Sequence, residues 1–443
     1  MLRGRFMQLQ VLDPHAAFAC SSCGWCCDQP WATVISAEDA ARYDAIDWGA
    51  ESVALREKKL YRKVKRNGNI TLELTKSSGN RCIFLDDDNR CLVHSKLGLD
   101  AKPHMCKQFP YLPVTTPTRQ RVSLNYGCKA VQRHSGPALS AQQKEIDRVI
   151  RQPAGNRATQ QKIKLSPDID MPVEVGEKLI AHLGDFFDPQ NAVSVMQCFA
   201  WCLDLLEFAG NCEPDEFCSR LNSAGTVPAR REHGWKPDES PALAPMPARM
   251  LFAATLYPDL ADPNDLGLLK RFTLIPKLLS VTQMRGSYAS RILARNVHIG
   301  GVFSRNTVPL IAPDANALLK RYFRSRLWQH LPTGGRLPII SGIHQHILDL
   351  TAILMYAHVE RGSDGANVAS SDPMTLDPIS RGLNIVEFHL ANQERLTDKV
   401  LQSWFAGALA SLPVARAALG MVRAQGIADS AISSASTFAT TSS

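Results

Sequence analysis

The chain of 443 residues lacks long apolar segments and has no cysteine beyond residue 218. Its most apolar stretches, residues 192–209 and 339–359, are interrupted by acidic residues or histidines, which argues against a membrane span. Residues 1–10 contain two arginines but lead into no apolar segment, so we expect no signal peptide. These absences predict a cytoplasmic protein in a reducing compartment, where clustered cysteines are metal ligands more often than disulfides.

Two common catalytic motifs are also missing. No G-x-G loop follows a predicted strand, which removes the usual cradle for a nucleotide-like cofactor. No HExxH pattern accompanies the histidines of the C-terminal half, which excludes the common zinc-protease site. The sequence alone therefore identifies neither a catalytic residue nor a residue that binds an organic cofactor.

The chain does contain twelve cysteines, and eight of them lie between residues 20 and 128. Four fall within residues 20–27, in the order C-x2-C-x2-C-C. Thiols at positions i, i+3 and i+6 allow one tight loop to surround a single metal centre, as in ferredoxins. The last thiol of the run needs partners from further along the chain. The candidate metal ligands are therefore Cys20, Cys23, Cys26, Cys27, Cys82, Cys91, Cys106 and Cys128.

Eight thiolates divide naturally into two four-coordinate sites, and two kinds of metal fit them. Zinc takes four thiolates tetrahedrally and contributes its binding energy to folding. A 4Fe–4S cluster also takes four, and the spacing of Cys20, Cys23 and Cys26 favours it, with one remote cysteine completing the set. Spacing alone leaves the choice open. His94 and His104 stand beside candidate cysteines, either as replacement ligands or as residues that orient a ligand.

The net charge of +8 is concentrated near these cysteines, since residues 1–135 contain 20 Lys and Arg against 13 Asp and Glu. A metal with four thiolates carries a charge of roughly −2, so a basic shell around it is expected. The basic run at residues 58–66 contains a single aromatic residue, Tyr61, and so lacks the repeated pattern of aromatic residues that stacks on bases. We therefore expect no nucleic-acid partner.

Local patterns predict that residues 15–135 form a small α+β domain built around the metal sites. Asn67-Gly68 joins two strand-like arms, residues 60–66 and 70–74, which is typical of a tight β-hairpin. A second small hairpin is predicted over residues 80–94, with a cysteine at the start of each arm. A short helix should carry Cys106 and end at Pro110, and a strand should lead to Cys128.

The rest of the chain predicts a linker at residues 136–170, a mostly α-helical domain at 171–425 and a disordered tail at 426–443. Apolar residues recur at helical spacing over residues 175–187, 192–209, 247–257, 315–330, 343–361, 379–392 and 395–410. Cys198, Cys202, Cys212 and Cys218 offer a further four-thiol site. The apolar flanks of the first two favour a core helix instead, in which cysteine behaves as a small hydrophobic residue.

The cysteine pattern resembles a known family. C-x2-C-x2-C-C is followed by C-x-F-L at Cys82, R-C at Cys91 and C-K-x-F-P from Cys106, and then by Cys128 after a strand. This order is similar to the CxxCxxCC cysteine-cluster family, described as a zinc- or iron-chelating domain, over about residues 18–130. The resemblance implies metal binding through all eight cysteines and names no reaction.

A second resemblance extends further. The flagellin lysine-N-methylases combine a similar cysteine cluster with a helical C-terminal half, and residues 122–128, 318–323 and 385–393 look like parts of them. This resemblance implies a bacterial enzyme that transfers methyl groups from S-adenosylmethionine to lysines of a protein such as flagellin. The alternatives are a non-enzymatic, zinc-stapled interaction module and an electron-transfer or metal-handling protein.

Overall fold

The structure is a computed structural model, and it describes residues 10–13, 16–29, 31–66, 69–77, 80–115, 120–150, 162–213, 216–217, 219–220, 246–261, 268–299, 311–330, 337–361, 373–390 and 407–421. The chain divides into two compact units. The first comprises residues 1–114 and 119–157, and the second comprises residues 115–118 and 158–443. The predicted linker, residues 136–170, spans this division. The predicted disordered tail lies outside the described residues.

Where the structure describes it, the first unit contains two small three-stranded sheets. One has the order β1-β6-β5, with β1 parallel to β6, and the other has the order β2-β4-β3, with antiparallel pairs. The strands are β1 (Gln10–Val11), β2 (Val34–Ile35), β3 (Tyr61–Arg66), β4 (Asn69–Leu74), β5 (Tyr111–Thr115) and β6 (Gln120–Leu124). These short sheets confirm the strand content predicted for the cysteine-rich part of the chain.

Strands β3 and β4 confirm the predicted hairpin. Their register pairs Tyr61 with Leu74 at the open end and Arg66 with Asn69 beside the turn. Burial increases along β4 away from the turn, so that Leu74 is buried whereas Ile70, on the same face of the strand, is 72% exposed. The open end of the hairpin therefore packs on the core of the first unit, and the described basic side chains of β3 lie mainly towards solvent.

The described residues of the first unit also form six short α-helices. They are α1 (Ala37–Asp44), α2 (Trp48–Glu51), α3 (Leu92–Leu97), α4 (His104–Gln108), α5 (Lys129–Gln132) and α6 (Gln143–Ile150). Helix α1 begins with a capping box in which the Ser36 hydroxyl accepts from the Asp39 amide at 3.0 Å and the Asp39 carboxylate accepts from the Ser36 amide. Helix α4 confirms the short helix predicted before Pro110.

The second predicted hairpin is only partly correct. Its turn is present, and Leu85 pairs with Cys91 in an isolated antiparallel bridge, but residues 83–84 of its first arm form a turn and not a strand. The prediction of a second strand is wrong. Directly after Cys91 the chain enters α3, which ends at Leu97 with Gly98 as its C-cap. Val93 in α3 is buried, so this segment packs on the core through one helical face rather than by strand pairing.

An aromatic cluster forms the centre of the first unit. Phe84 is 1% exposed, and its ring lies 4.7 Å from that of Trp48 and 5.3 Å from that of Tyr43, between centroids. Trp48 donates to the carbonyl of Tyr43 at 2.8 Å, and Tyr43 donates to the carbonyl of Ala101 at 2.8 Å. The polar ends of both rings are therefore satisfied inside the core. Cys82 and Cys91, which precede and follow Phe84 in the sequence, pack against the core that contains these three rings.

The second unit is mostly helical, as predicted. Its helices are α7 (Val173–Phe186), α8 (Val195–Gly210), α9 (Met246–Thr255), α10 (Tyr257–Leu260), α11 (Leu268–Thr282), α12 (Pro313–His330), α13 (Ile339–Arg361), α14 (Leu376–Ile385) and α15 (Leu412–Met421). A π-helical turn, Val386–Leu390, follows α14. Most of the helix predicted at residues 395–410 lies outside the described residues. Among the described helices, each is too short or too polar to cross a lipid bilayer.

The second unit also contains a small amount of strand, which the sequence did not predict. Strand β7 (Lys162–Lys164) pairs with β8 (Asp170–Pro172), and β9 (Ser287–Ser290) pairs with β10 (Arg295–His298). The β9–β10 hairpin is held by the fully buried carboxylate of Asp259. This carboxylate accepts from the hydroxyls of Tyr288, Ser290 and Tyr356 at 2.7–2.8 Å. Three donors converging on one buried carboxylate tie this hairpin to α10, which carries Asp259, and to α13, which carries Tyr356.

Helices α13 and α14 pack with their backbones in close approach. Residue 382 is glycine, and a Cβ atom there would overlap the carbonyl oxygen of Ile353 and lie 2.9 Å from the amide nitrogen of Ala357. A larger residue would force the two helices apart, because helix cores are already close-packed. Gly382 therefore sets the distance between these two helices.

His344 on α13 makes the stability of the second unit depend on pH. Burial lowers the pKa of His344 to about 4, and its Nδ1–H donates to the carbonyl of Leu409 at 3.1 Å. The unfolded chain has the ordinary histidine pKa of about 6.5, so below that pH it binds a proton that the folded state does not. Above about pH 6.5 the histidine is neutral in both states and the free energy of unfolding does not depend on it. As the pH falls from about 6.5 towards about 4, the free energy of unfolding decreases by about 3 kcal/mol.

The matched control for this pH dependence is His344→Gln, whose amide can still donate to Leu409 but does not titrate. We expect the free energy of unfolding of the second unit to fall less steeply in the variant between pH 6.5 and 4. Chemical denaturation at a series of pH values measures this slope. Equal slopes in the two proteins would contradict the assignment.

Candidate metal centre

The cysteine-rich loop begins with a backbone turn that requires glycine. Gly24 has φ = 69°, which is left-handed, and a Cβ atom there would lie 2.9 Å from the side chain of Asn89. A short 3₁₀ helix, Trp25–Asp28, follows, and the Cys27 amide donates to the Gly24 carbonyl at 2.9 Å. The turn therefore separates Cys23 from the adjacent pair Cys26 and Cys27, whose sulfur atoms lie 3.9 Å apart.

The loop that carries Cys82 is attached directly to Cys27. The Cys82 amide donates to the Cys27 carbonyl at 2.8 Å, and Lys76 Nζ donates to the carbonyls of Cys27 and Gln29, each at 3.3 Å. Lys76 also pairs with Cys82 through an isolated β-bridge. Backbone hydrogen bonds thus fix the position of Cys82 relative to Cys27, 55 residues earlier in the chain.

The last two candidate cysteines are held at helix starts. The Cys106 amide in α4 donates to the Pro103 carbonyl at 2.9 Å. The Cys128 amide donates to the Asn125 carbonyl at 3.2 Å, and Cys128 immediately precedes α5. Both backbones are therefore fixed by local turns.

Electrostatic influence weakens with distance, so the charges that act on each thiol indicate which thiols are its neighbours. Cys106 is influenced by the charges of Cys82, Cys27 and Cys91, and Cys82 by those of Cys27 and Cys91. Cys91 is in turn influenced by Cys27. These four thiols, Cys27, Cys82, Cys91 and Cys106, are mutual neighbours and are called the inner group below.

The other four thiols form a second neighbourhood. Cys128 is influenced by the charges of Cys23 and Cys20, and Cys26 is influenced by Cys128 in addition to Cys27. The set of Cys20, Cys23, Cys26 and Cys128 is called the outer group below. Cys26 is also influenced by the charge of Cys106, and its sulfur atom lies 3.9 Å from that of Cys27. The two groups therefore adjoin at the Cys26–Cys27 pair.

The two groups differ in exposure. All four thiols of the inner group are partly buried, whereas Cys20 and Cys23 of the outer group are exposed. Burial raises the pKa of Cys82 to about 11, raises that of Cys128 to about 11, and raises that of Cys106 further. A metal ion that binds these sulfur atoms must therefore displace protons from them.

Within the Cys26–Cys27 pair, the hydrogen bond between the sulfur atoms raises the pKa of Cys26 and lowers that of Cys27. The positive charges of Lys102, Lys76 and Arg81 further lower the pKa of Cys27. Of the two adjacent thiols, Cys27 is thus the one whose surroundings favour the thiolate, which is the form that binds metals.

Lys102 is the residue that the sequence did not single out as part of the site. It is half-buried; burial lowers its pKa, but the thiolates of Cys91, Cys106 and Cys27 raise it by more. Its positive charge offsets part of the negative charge of the inner group. The only sequence signal for Lys102 is its position four residues before Cys106, which is too weak to identify it.

The two candidate histidines are less well placed than the cysteines. His94 in α3 and His104 in α4 are both exposed, whereas six of the eight candidate thiols are partly buried. Their role as ligands or as residues that orient a ligand stays a prediction.

The cysteines of the second unit have different surroundings. Cys198 and Cys202 are fully buried in α8, and the Cys198 thiol donates to the carbonyl of Phe186 at 3.0 Å. Burial raises the pKa of Cys202 well above its ordinary value. Cys212 is partly buried beyond the helix, and Cys218 lies outside the described residues. The surroundings of Cys198 and Cys202 are those of core residues.

The donor set of the first unit fits a thiophilic metal. Across the part of the chain that the structure describes, no three Cys, His, Asp or Glu side chains converge closely enough to hold an ion, so the thiols are neighbours rather than an assembled coordination sphere. All of the described cysteines are free thiols. The indole Nε1 of Trp25, between Cys23 and Cys26, is buried with no hydrogen-bond acceptor among the described residues. A metal-bound thiolate or sulfide is an acceptor that would satisfy it.

Comparison with known proteins confirms the resemblance noted in the sequence. No curated protein and no solved structure matches the chain. Nothing in these comparisons points to methylation or to flagellin. Residues 19–129, which contain both groups of thiols, match the CxxCxxCC family model, described as a "putative zinc- or iron-chelating domain".

Proposed function

We propose that the first unit binds zinc or iron through its eight cysteine thiolates, Cys20, Cys23, Cys26, Cys27, Cys82, Cys91, Cys106 and Cys128. The observation that carries this proposal is the gathering of eight free thiols, from four separate parts of the chain, into two adjoining neighbourhoods of four. Four soft thiolates are the usual ligand set for structural zinc and for iron–sulfur clusters. The predicted domain, residues 15–135, contains all of them.

The two metals would give the unit different roles. Zinc has no redox chemistry, so its role would be structural. It would cross-link the short, irregular segments that carry the cysteines and thereby stabilise a surface for interaction. An iron–sulfur cluster would add electron transfer, and the spacing of Cys20, Cys23 and Cys26 supports it. Free thiols remain available for either metal in the reducing cytoplasm, which is the location we propose.

The test is anaerobic purification of the full chain, followed by elemental analysis for zinc, iron and inorganic sulfide and by an absorption spectrum. We expect stoichiometric metal. Iron with sulfide and a broad visible absorption band would identify a cluster, and a colourless protein with zinc would identify a structural site. A protein that contains neither metal, and that takes up neither on reconstitution, would overturn the proposal.

A finer function follows from the resemblance to the flagellin lysine-N-methylases alone. On this proposal the chain would transfer methyl groups from S-adenosylmethionine to lysines of a protein substrate such as flagellin. Calorimetric titration of the metal-loaded chain with S-adenosylmethionine tests it, and the absence of binding would leave the interaction-module and electron-transfer alternatives.

A further inference from the structure

We propose that the eight thiols form two unlike metal centres: an inner centre of Cys27, Cys82, Cys91 and Cys106, and a more exchangeable outer centre of Cys20, Cys23, Cys26 and Cys128. This inference rests on the proposed metal binding and assigns each thiol to one centre. The spacing of cysteines in the sequence cannot make this assignment, because it allows many groupings of eight.

The inner centre is defined by the way its segments are joined. The hydrogen bond from the Cys82 amide to the Cys27 carbonyl links the first cysteine loop to the second at 2.8 Å. The bridge between Leu85 and Cys91 closes the second loop, which places Cys91 beside Cys82. Cys106 completes the set, with Cys82, Cys27 and Cys91 all among its charged neighbours.

The outer centre is defined by a separate set of contacts. The Ala19 amide, just before Cys20, donates to the Ser135 carbonyl at 2.7 Å, so the chain entering the loop lies against the chain that follows α5. Lys129, directly after Cys128, places its Nζ 4.1 Å from the centre of the Trp25 ring. These two contacts hold Cys128 beside the loop that contains Cys20, Cys23 and Cys26.

The assignment of the adjacent pair decides the division. Cys26 and Cys27 touch, so contact between their sulfur atoms does not distinguish them. Cys27, however, is hydrogen-bonded through its backbone to Cys82 and to Lys76, whereas Cys26 is influenced more by the charge of Cys128 than by that of Cys106. Cys27 therefore belongs to the inner centre and Cys26 to the outer one.

Exposure and charge make the two centres unequal. The inner thiols are all partly buried and lie near the positive charges of Lys76, Arg81 and Lys102. The outer centre includes the exposed thiols of Cys20 and Cys23. A chelator or a partner protein reaches exposed ligands first, so the outer metal should exchange first while the inner metal maintains the fold.

The test uses the full, metal-loaded wild-type chain under anaerobic conditions. A chelator such as EDTA is added in steps, a thiol-alkylating reagent is applied at each step, and peptide mass spectrometry measures the modification of every cysteine. We expect Cys20, Cys23, Cys26 and Cys128 to become reactive together as about half of the metal is lost. Cys27, Cys82, Cys91 and Cys106 should follow together at higher chelator concentrations.

Different outcomes overturn different claims. Three outcomes would overturn the division while leaving metal binding intact. They are sets of other cysteines that become reactive together, release of all eight thiols in one step, and release of the inner group before the outer one. Eight thiols that react at the same rate before and after metal loading would overturn the proposed metal binding itself. The buried Cys198 and Cys202 are internal controls, since their reactivity should not depend on the metal.

Pairs of substitutions give an independent readout of the same division. Cys20→Ser combined with Cys128→Ser should lose no more metal than either single variant, about half of the total, because both act on one centre. Cys20→Ser combined with Cys91→Ser should lose nearly all of it. Metal retention in the second pair equal to that in the first would contradict the assignment.

Discussion

Cys82→Ala is expected to remove about half of the bound metal and to destabilise the first unit by several kcal/mol, because a metal that loses one of four thiolates no longer contributes its binding energy to folding. Cys82, one of the eight proposed ligands, is tied to the rest of the site in two ways. Its amide is bonded to Cys27, and its side chain packs against the aromatic cluster. Metal content and chemical denaturation of the purified variant measure the two effects.

The matched control is Cys202→Ala, which removes the same atom from a fully buried helix of the second unit. It should cost about 1 kcal/mol through the small cavity that it leaves, with no change in metal content. Equal metal loss from the two variants would show that the thiols of the second unit also hold metal. Full metal retention by Cys82→Ala would remove Cys82 from the inner centre.

Phe84→Ala is expected to destabilise the first unit by about 3–5 kcal/mol, the usual cost of removing a buried aromatic ring. Phe84 is 1% exposed and contacts both Trp48 and Tyr43, and its carbonyl accepts from the Leu92 amide at 2.8 Å. It lies between Cys82 and Cys91 in sequence, so the loop that carries these two proposed ligands depends on its packing. The loss is measured by chemical denaturation, followed through the fluorescence of the buried tryptophan.

The variant also separates packing from metal binding. A metal that binds only the folded unit should recover part of the lost stability when it is present in excess. Ile70→Ala is the control, because Ile70 is 72% exposed in the same unit and its truncation should change the stability by less than about 0.5 kcal/mol. A loss of under about 1 kcal/mol in Phe84→Ala would contradict the importance of the aromatic cluster.

Features that depend on neighbouring residues in the chain were predictable from the sequence. The Asn67-Gly68 dipeptide and the alternation of residues 70–74 predicted the β3–β4 hairpin, and Pro110 predicted the end of α4. The helical spacing of apolar residues predicted most of the second unit. The order of the eight cysteines and the residues beside them indicated the cysteine-cluster family over about residues 18–130, and the family model matches residues 19–129.

Features that depend on distant residues were not predictable in the same way. The β9–β10 hairpin was missed because it is fixed by Asp259, whose hydroxyl partners include Tyr356, 97 residues away. The proposed division of the eight thiols could not be predicted from the sequence either. It depends on the Cys27–Cys82 hydrogen bond and on the contact between Lys129 and Trp25, which form only when the chain folds. Lys102 is recognised as part of the site only from the thiolates around it.

The most direct test of metal binding by the cysteines is X-ray absorption spectroscopy at the zinc or iron edge of the purified full chain. Sulfur-only coordination is expected, with about four sulfur atoms at about 2.3 Å from each zinc, or an all-sulfur first shell around iron. Cys82→Ala should reduce the bound metal without changing the remaining first shell. A shell dominated by nitrogen or oxygen ligands would contradict the assignment of the eight cysteines as the ligands.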